Sequence, residues 1–361
     1  MGVQELLLDP ATRLRSEAWG SLAYNDERRT LLAVRDPEAD RLPRTWADCV
    51  RAGLSAPICL SWEWTYSCNL NCVHCLSASG RRDPAELRTA ECLRVMDQLA
   101  EMKVFYVNVG GGEPMVRPDF WELMQGAVAR GIGVKFSTNG TRLGLPEARR
   151  LAAMRHVDVQ VSLDGATAPV NDRLRGAGSF DRALAALDAL ALAGFAEPKI
   201  SVVVTRENAS QLDHFKALAD RHGAVLRLTR LRPAGRGARI WEYLRPTADQ
   251  LRSLHEWLLA EGRAVMTGDS FFHLSAFGGR LPGMNLCAAA RAVCLIDPVG
   301  GVYACPFAVD SRFRAGSLRD QGLSDLWQAP AFQALRVETV GGLCRACPVY
   351  AACGGGCPAA K

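Results

Sequence analysis

Nothing in the 361-residue sequence approaches the roughly 20 consecutive apolar residues that a membrane-spanning helix needs; the longest apolar stretches are of the size of residues 200–204. A secretory signal is missing too, because Glu5 and Asp9 interrupt the first ten residues. Gly2 is followed at position 6 by Leu6 rather than Ser or Thr, so the N-acylation pattern fails. Charge of one sign is also scarce. The chain has 43 basic and 38 acidic residues, net +5, with arginines scattered in pairs such as Arg28-Arg29 and Arg149-Arg150. That is a solvated surface rather than a nucleic-acid footprint. With 48% hydrophobic and 22% charged residues, disordered and fibrous classes are excluded, and one large core or two ordinary ones can form.

Thirteen cysteines are too few for a disulfide scaffold of this length, and the number is odd. Without a signal peptide they point to reduced thiols in a cytoplasmic protein, holding metal. Seven of the thirteen fall between Cys287 and Cys357.

From Cys59 onward, β-branched runs alternate with helical patterns. Strands are predicted at 59–66, 104–109, 133–138, 157–163, 199–205 and 225–231, and helices at 87–102, 118–130, 146–154, 180–193 and 211–222. Six βα repeats give an α/β fold with a parallel sheet, two units short of a closed (β/α)8 barrel, so a partial (β/α)6 barrel is expected with function at the C-terminal ends of its strands. Residues 12–34 read as a hairpin turning at Asn25-Asp26, and 35–44 as a polar linker. After about Arg263 helical periodicity gives way to Gly, Pro and Cys, a tail that metal would have to hold together. The expected domains are therefore 1–56, 57–262 and 263–361.

Cys68-Asn-Leu-Asn-Cys72-Val-His74-Cys75 follows the first strand directly. Three thiolates on one short loop can ligate three irons of a 4Fe-4S cluster and leave the fourth open to a substrate. A zinc knuckle using His74 as fourth ligand is the alternative, but one residue between two ligands is short for zinc.

This C-x3-C-x2-C loop after the first strand of a βα series resembles the radical S-adenosylmethionine (SAM) superfamily. The remaining stations stand at successive strand ends: Gly110-Gly111-Gly112-Glu113-Pro114, Ser137-Thr-Asn139-Gly, Ser162-Leu-Asp164-Gly, Thr205-Arg-Glu-Asn208, and Arg230-Leu-Arg232. The resemblance implies that Gly111, Gly112, Glu113 and Pro114 receive the SAM amino group. It implies that Ser137, Asn139, Ser162 and Asp164 meet the ribose and carboxylate, and that Thr205, Asn208 and Arg232 lie near the adenine or carboxylate. Reductive cleavage of the sulfonium would then yield a hydrogen-abstracting 5′-deoxyadenosyl radical. His74 is expected to pack beside the cluster or the adenine.

Near the other end, Cys344-x2-Cys347-x5-Cys353-x3-Cys357, preceded by Cys287-x6-Cys294-x10-Cys305, resembles the SPASM domain of peptide-modifying radical SAM enzymes, with two auxiliary 4Fe-4S clusters. The implied ligands are Cys287, Cys294, Cys305 and Cys357 for the first, and Cys344, Cys347 and Cys353 for an incomplete second. Cys59 and Cys92 are expected to be small core residues, and Cys49 has no assigned role.

Residues 68–84, 104–114, 133–140, 268–274 and 294–300 together are similar to the mycofactocin radical SAM maturases, over roughly 57–361. The likeness implies a small precursor peptide ending in Val-Tyr, oxidative decarboxylation of the tyrosine, then a Val-Tyr carbon–carbon bond. It implies partners as well: a leader-binding peptide chaperone and an external electron donor. Asp269 and His273, in a polar-aromatic stretch between barrel and cluster domain, are candidates for facing the substrate. Residues 13–32 resemble the hairpin of the small chaperone module, which pairs with leader peptides by strand addition. Two other readings compete: a different SPASM maturase, thioether-forming or sulfatase-maturating, and an iron–sulfur electron-transfer scaffold.

Overall fold

The computed structural model describes residues 7–28, 30–35, 46–51, 53–267, 271–279, 281, 287–337, 344, 346–350, 356–357 and 359. Strands β1 (Thr12–Glu17), β2 (Gly20–Asn25) and β3 (Thr30–Arg35) form a three-stranded antiparallel sheet. The single hairpin expected over 12–34 is two, since a tight turn at Ala18-Trp19 splits it. Gly20 supplies the backbone there, at φ 140°, a conformation that L side chains avoid. Of the expected linker only Arg35 lies within the described residues.

This sheet is fastened to the rest through β1. Arg13 donates to the carbonyls of Phe105 at 2.6 Å and Gly131 at 2.5 Å, and Arg15 to those of Pro57 at 2.7 Å and Ala56 at 2.9 Å. Trp19, Leu22, Tyr24, Cys49, Leu54 and Phe105 close a small apolar core between the two parts. Cys49 therefore packs as a core thiol.

Among the described residues the main sheet has ten strands. β4 (Cys59–Thr65), β5 (Tyr106–Gly111), β6 (Gly133–Thr138), β7 (Val157–Ser162), β8 (Lys199–Val204) and β9 (Val225–Arg230) run parallel in sequence order, with β10 (Met266–Thr267) added beyond β9. On the other side of β4, β11 (Val293–Ile296) pairs parallel to it, and β12 (Gly301–Tyr303) and β13 (Arg314–Ser317) follow antiparallel. The cysteine-rich segment thus continues the barrel sheet.

Alternation explains the layers. Leu60, Trp62 and Trp64 of β4 are 0–1% exposed against the helices, which turns Ser61 and Glu63 to the other face. Helix Thr89–Glu101 buries Cys92, Val95, Met96 and Leu99, spaced along one helical face. Helix Phe120–Ala129 places Phe120 edge-on to Trp64, at 6.0 Å between ring centres, and to Phe136 at 5.5 Å. The five anticipated helices are present; among those not anticipated, Ala168–Arg175 follows β7 and Ala248–Glu261 follows β9. Pro169 stands in the first turn of the former, where a missing N–H costs nothing. No helix among the described residues is long and apolar enough to cross a membrane.

Because Phe120 fills the junction of three aromatic side chains, Phe120→Ala is expected to cost about 3–5 kcal/mol. Urea unfolding of the metal-free chain, at unchanged slope, measures it.

Candidate active site at the strand ends

The cysteine loop leaves β4 and is gripped by backbone on both sides. Cys68 N donates to Gly80 O at 3.1 Å, Val73 N to Leu174 O at 3.0 Å, and Cys75 N to Cys72 O at 3.3 Å. Cys68, Cys72 and Cys75 are partly exposed free thiols. Burial pushes the Cys68 thiol up, and the neighbouring Cys72 and Cys75 add to this. At Cys72 the upward push of burial is opposed by the guanidinium of Arg175, and further by Arg236. Such cations favour the thiolate that a metal needs.

The glycine station is a matter of space. Gly112 N donates to Thr65 O at 2.7 Å and Glu113 N to Ser67 O at 2.8 Å. A Cβ on residue 112 would lie 1.9 Å from Ser67 O, and one on Gly111, at φ 102°, 2.5 Å from Thr65 O. Only glycine lets the two strand ends meet. Glu113 is 1% exposed and turned inward. It accepts from Asn139 N at 2.7 Å, Thr138 Oγ1 at 2.9 Å and Met115 N at 3.1 Å, yet burial still pushes its pKa up. Its carboxylate ties one station to the next, and Pro114 is buried behind it. Asn139 in turn donates to Asn69 Oδ1 at 2.9 Å, and Asn69 to Thr141 Oγ1 at 2.7 Å, fastening the cysteine loop to the end of β6.

Asp164 is wholly buried. It meets His74 Nε2 at 2.8 Å, Arg175 Nε at 2.6 Å and the N–H of Val203 at 2.6 Å. Burial would raise its pKa, but the charges of Arg175 and His74 and their hydrogen bonds prevail and hold the carboxyl well below the ordinary range. Asp164 therefore braces the cysteine loop through His74. Asn208 braces the same strand end, donating to Asp164 O at 2.8 Å and accepting from Thr205 N at 2.7 Å. Ser137 and Ser162 stand half-buried on the neighbouring strands.

Two features escaped the sequence reading. Arg236 straps the loop from outside, donating to Cys72 O at 2.8 Å and Ser79 O at 2.7 Å, while its N–H meets Cys75 O at 2.9 Å. The signal was the Gly235-Arg-Gly237 run: Gly235, at φ 55°, comes so close to Leu76 O that a Cβ would lie 2.2 Å from it. The second is Glu63, paired across β5 with Gly110. On its other side β11 ends at Ile296, level with Trp62, so that Asp297 follows beside Glu63. Burial, then the charge of Asp297, push Glu63 up to about 7. Burial and then the same two carboxylates push the Tyr66 phenol up, burial and then Asp297 that of Tyr303, and Asp297 is itself held by the N–H groups of Gly301 at 2.7 Å and Val299 at 3.0 Å. A lone Glu inside a Trp-Glu-Trp strand carries no signature from which this could be read.

Of the C-terminal cysteines, Cys305 is pushed up to about 12 by burial and then by the nearby Cys287 and Cys357. Arg232 turns toward this group: its guanidinium lies 4.1 Å from the Phe307 ring centre and Nη1 3.5 Å from Cys357 Sγ. Cys344 and Cys347 share a turn, with Cys347 N donating to Cys344 O at 3.3 Å. Cys353 and Asp269 lie outside the described residues, as does the side chain of His273, whose backbone is in the 3-10 turn Phe272–Phe277.

Loop thiols without disulfides, flanked by Arg175 and Arg236, suit an anionic thiolate cluster. The glycine cradle and two buried polar atoms lacking partners, His74 Nδ1 and Thr205 Oγ1, suit a polar ligand beside it. Among the described residues no three His, Cys, Asp or Glu side chains converge as they would on a single metal ion. One cavity, of about 280 Å³, is lined by Tyr24, Tyr106, Lys135, His156 and Asp158 at the opposite end of the strands. None of these residues belongs to the stations above, so chemistry, not cavity size, locates the site.

Residues 62–219 match the Radical SAM superfamily and residues 287–348 the SPASM iron-sulfur cluster-binding domain. The chain is 62% identical over 313 residues to the Mycofactocin maturase MftC of Mycobacterium ulcerans (strain Agy99), covering 86% of this chain and 85% of that one. Among solved structures, Streptococcus suis SuiB bound to S-adenosylmethionine superposes with a TM-score of 0.76 at 16% identity, covering 98% of this chain and 95% of SuiB. SuiB bound to the precursor peptide SuiA gives 0.75 at 16% identity, with the same coverage. At such identity the likeness is one of fold.

Two outcomes are expected here. Gly112→Ala should lose at least about 2 kcal/mol of stability through its backbone clash, whereas Gly110→Ala, with open space at its Cβ, stays within about 1 kcal/mol; denaturant unfolding of both variants measures this. The folded chain holds the Glu63 proton up to about pH 7, while the unfolded chain releases it near the ordinary glutamate value. Stability should therefore fall as pH rises through that window, and Glu63→Gln should flatten the fall.

Proposed function

The chain belongs to the mycofactocin maturase family of radical SAM/SPASM enzymes, and from that membership we propose that it modifies the C-terminus of a small ribosomal precursor peptide ending in Val-Tyr. The tyrosine would give up a Cβ hydrogen to the SAM-derived radical, then CO2, and one further electron to an auxiliary iron–sulfur cluster, leaving a tyramine-like alkene that the same enzyme joins to the valine through a carbon–carbon bond. The observation that carries this reading is the 62% identity to a named mycofactocin maturase, extending over 86% of the chain. A solved fold relative, SuiB, binds a precursor peptide of its own, which supports a peptide at this rim.

The cofactors are S-adenosylmethionine and 4Fe-4S clusters; together they supply a hydrogen-abstracting 5′-deoxyadenosyl radical. Cys68, Cys72 and Cys75 hold the cluster that meets SAM. The Gly111-Gly112 cradle admits the methionine end of SAM beside the loop. Glu113, Asn139 and Asp164, with their hydrogen bonds turned inward, fix the strand ends rather than share them with water. Glu63, protonated up to about pH 7, is the carboxyl at this rim best suited to hold or take up a substrate proton. Asp269 and His273 are proposed to face the substrate carboxylate and ring.

The partners are a leader-binding peptide chaperone and an external one-electron donor. The N-terminal sheet contributes to leader binding. Its β1 edge is anchored to the barrel by Arg13 and Arg15, whereas β3 is the opposite edge strand among the described residues, open to strand addition.

Anaerobic incubation with SAM, reductant and a Val-Tyr-ending precursor should give 5′-deoxyadenosine and a peptide lighter by CO2 and two hydrogens. Formation of 5′-deoxyadenosine with a peptide that keeps its CO2 would refute the decarboxylation and assign another peptide maturase. His273→Ala should lower decarboxylation at least tenfold; full activity removes it from the mechanism. Deleting residues 1–45 should weaken precursor binding at least tenfold, measured by fluorescence anisotropy, and unchanged affinity would exclude the leader-binding role.

A further inference from the structure

The cavity of about 280 Å³ lies at the N-terminal ends of the barrel strands, where Tyr106, Gly133 and Val157 begin β5, β6 and β7. Its opposite wall comes from the N-terminal sheet, with Tyr24 of β2 and, in the turn that follows, Asp26 and Glu27. Barrel and sheet thus share one pocket. Strand alternation decides what the barrel side presents. Phe136 packs on Phe120 in the helix layer, which turns Lys135, and Asp158 opposite it on β7, to the inner face of the barrel. In a closed (β/α)8 barrel such positions carry bulky branched residues that fill the interior. Here they carry a lysine and an aspartate beside open space.

The carboxylates of the wall are matched from behind. Asp26 accepts from Arg13 Nε and Nη2, both at 2.5 Å, and Asp158 from Lys199 Nζ at 2.6 Å. Both carboxylate side chains are 5% exposed. The third, Glu27, is exposed at the mouth, as is Arg155. Inside, Lys135 Nζ lies 3.6 Å from the centre of the Tyr106 ring, and Arg227 is within electrostatic reach of the Tyr106 phenol. His156 stands at φ 60° with Nδ1 4.0 Å from Asp26 Oδ1. Arg13, Lys135, Arg155, Lys199 and Arg227 therefore outnumber the three carboxylates even before His156 is counted. The field in the pocket favours an anion. Two aromatic rings stand in the same wall, Tyr24 and Tyr106, 5.5 Å apart between centres and tilted by 35°, a spacing at which a further ring packs offset or edge-on.

We propose that this cavity is a second binding site, separate from the SAM rim, for a small aromatic carboxylate. The carboxylate pairs with Lys135 and His156, and the ring lies against Tyr24 and Tyr106. The volume is just below the range of about 300–1,000 Å³ that drug-sized ligands occupy, which suits a molecule of one ring. A ligand there touches β2 and the turn after it on one side and the first residues of β5, β6 and β7 on the other. It therefore clamps the N-terminal sheet to the barrel, adding to the anchors that Arg13 and Arg15 already make. The inference goes beyond the peptide reaction and does not rest on it.

The probe is 4-hydroxyphenylacetate, titrated by calorimetry into the full-length, reconstituted chain with SAM present so that the rim is filled. The expected result is one saturable site with a Kd of about 1 mM or tighter, at least tenfold weaker in Lys135→Gln and restored to within threefold in Lys135→Arg. Equal affinity in Lys135→Gln, or no saturation up to about 20 mM, overturns the proposal. Should Lys135→Gln fail to fold, the unsubstituted protein still decides. Tyramine keeps the ring and reverses the charge, acetate keeps the charge and lacks the ring, and each should bind at least tenfold more weakly than the probe. Tyramine or acetate binding as tightly as the probe contradicts the assignment. With the probe at saturation, hydrogen exchange of the backbone amides of residues 20–25 should slow, and an unchanged rate would refute the clamp.

Discussion

The whole rim depends on the closeness of two backbones, the end of β4 and the end of β5. Ser67 O lies so near Gly112 that no side chain could stand between them, and the hydrogen bonds from Gly112 N to Thr65 O and Glu113 N to Ser67 O follow from that approach. The cysteine loop begins at the next residue, Cys68. Its position relative to the glycine cradle is therefore set by two backbone hydrogen bonds and a steric exclusion rather than by flexible side chains. Chemistry in which a cluster on the loop would pass an electron to a ligand seated in the cradle requires such stiffness.

Behind this seam the polar groups form a brace. Glu113 joins the ends of β5 and β6, Asn139 and Asn69 join β6 to the cysteine loop, and Asp164 joins β7 to His74 and Arg175. Buried carboxylates are costly unless paired or hydrogen-bonded. Asp164 meets that requirement with the guanidinium of Arg175, the ring N of His74 and the N–H of Val203, whereas Glu113 has only neutral donors and burial still raises it. Motif residues that look like ligand contacts in a linear reading are thus partly the scaffold that aims the contacts. Arg236 completes the brace from a segment after β9.

The sequence made the parallel sheet legible because β-branched runs and helical periods alternate regularly, and the five helices between its strands are found within two residues of their expected bounds. The strand-end stations were legible through glycine, asparagine and cysteine, residue types whose backbone or ligand chemistry is distinctive. What escaped was relational. Ala18-Trp19 hides a turn because its permissive residue is the following Gly20. Arg236 and Glu63 have ordinary local contexts, and only the approach of the segment after β9 to the cysteine loop and of β11 to β4 gives them neighbours.

The central claim is that Cys68, Cys72 and Cys75 hold a cluster whose open iron meets SAM within the Gly111-Gly112 cradle. The most direct measurement is the electron paramagnetic resonance spectrum of the reduced, fully reconstituted chain before and after SAM is added. The expected result is a shifted signal on adding SAM, present in the unsubstituted chain and absent from Cys72→Ala. A spectrum that SAM leaves unchanged in a chain with full iron content would contradict it.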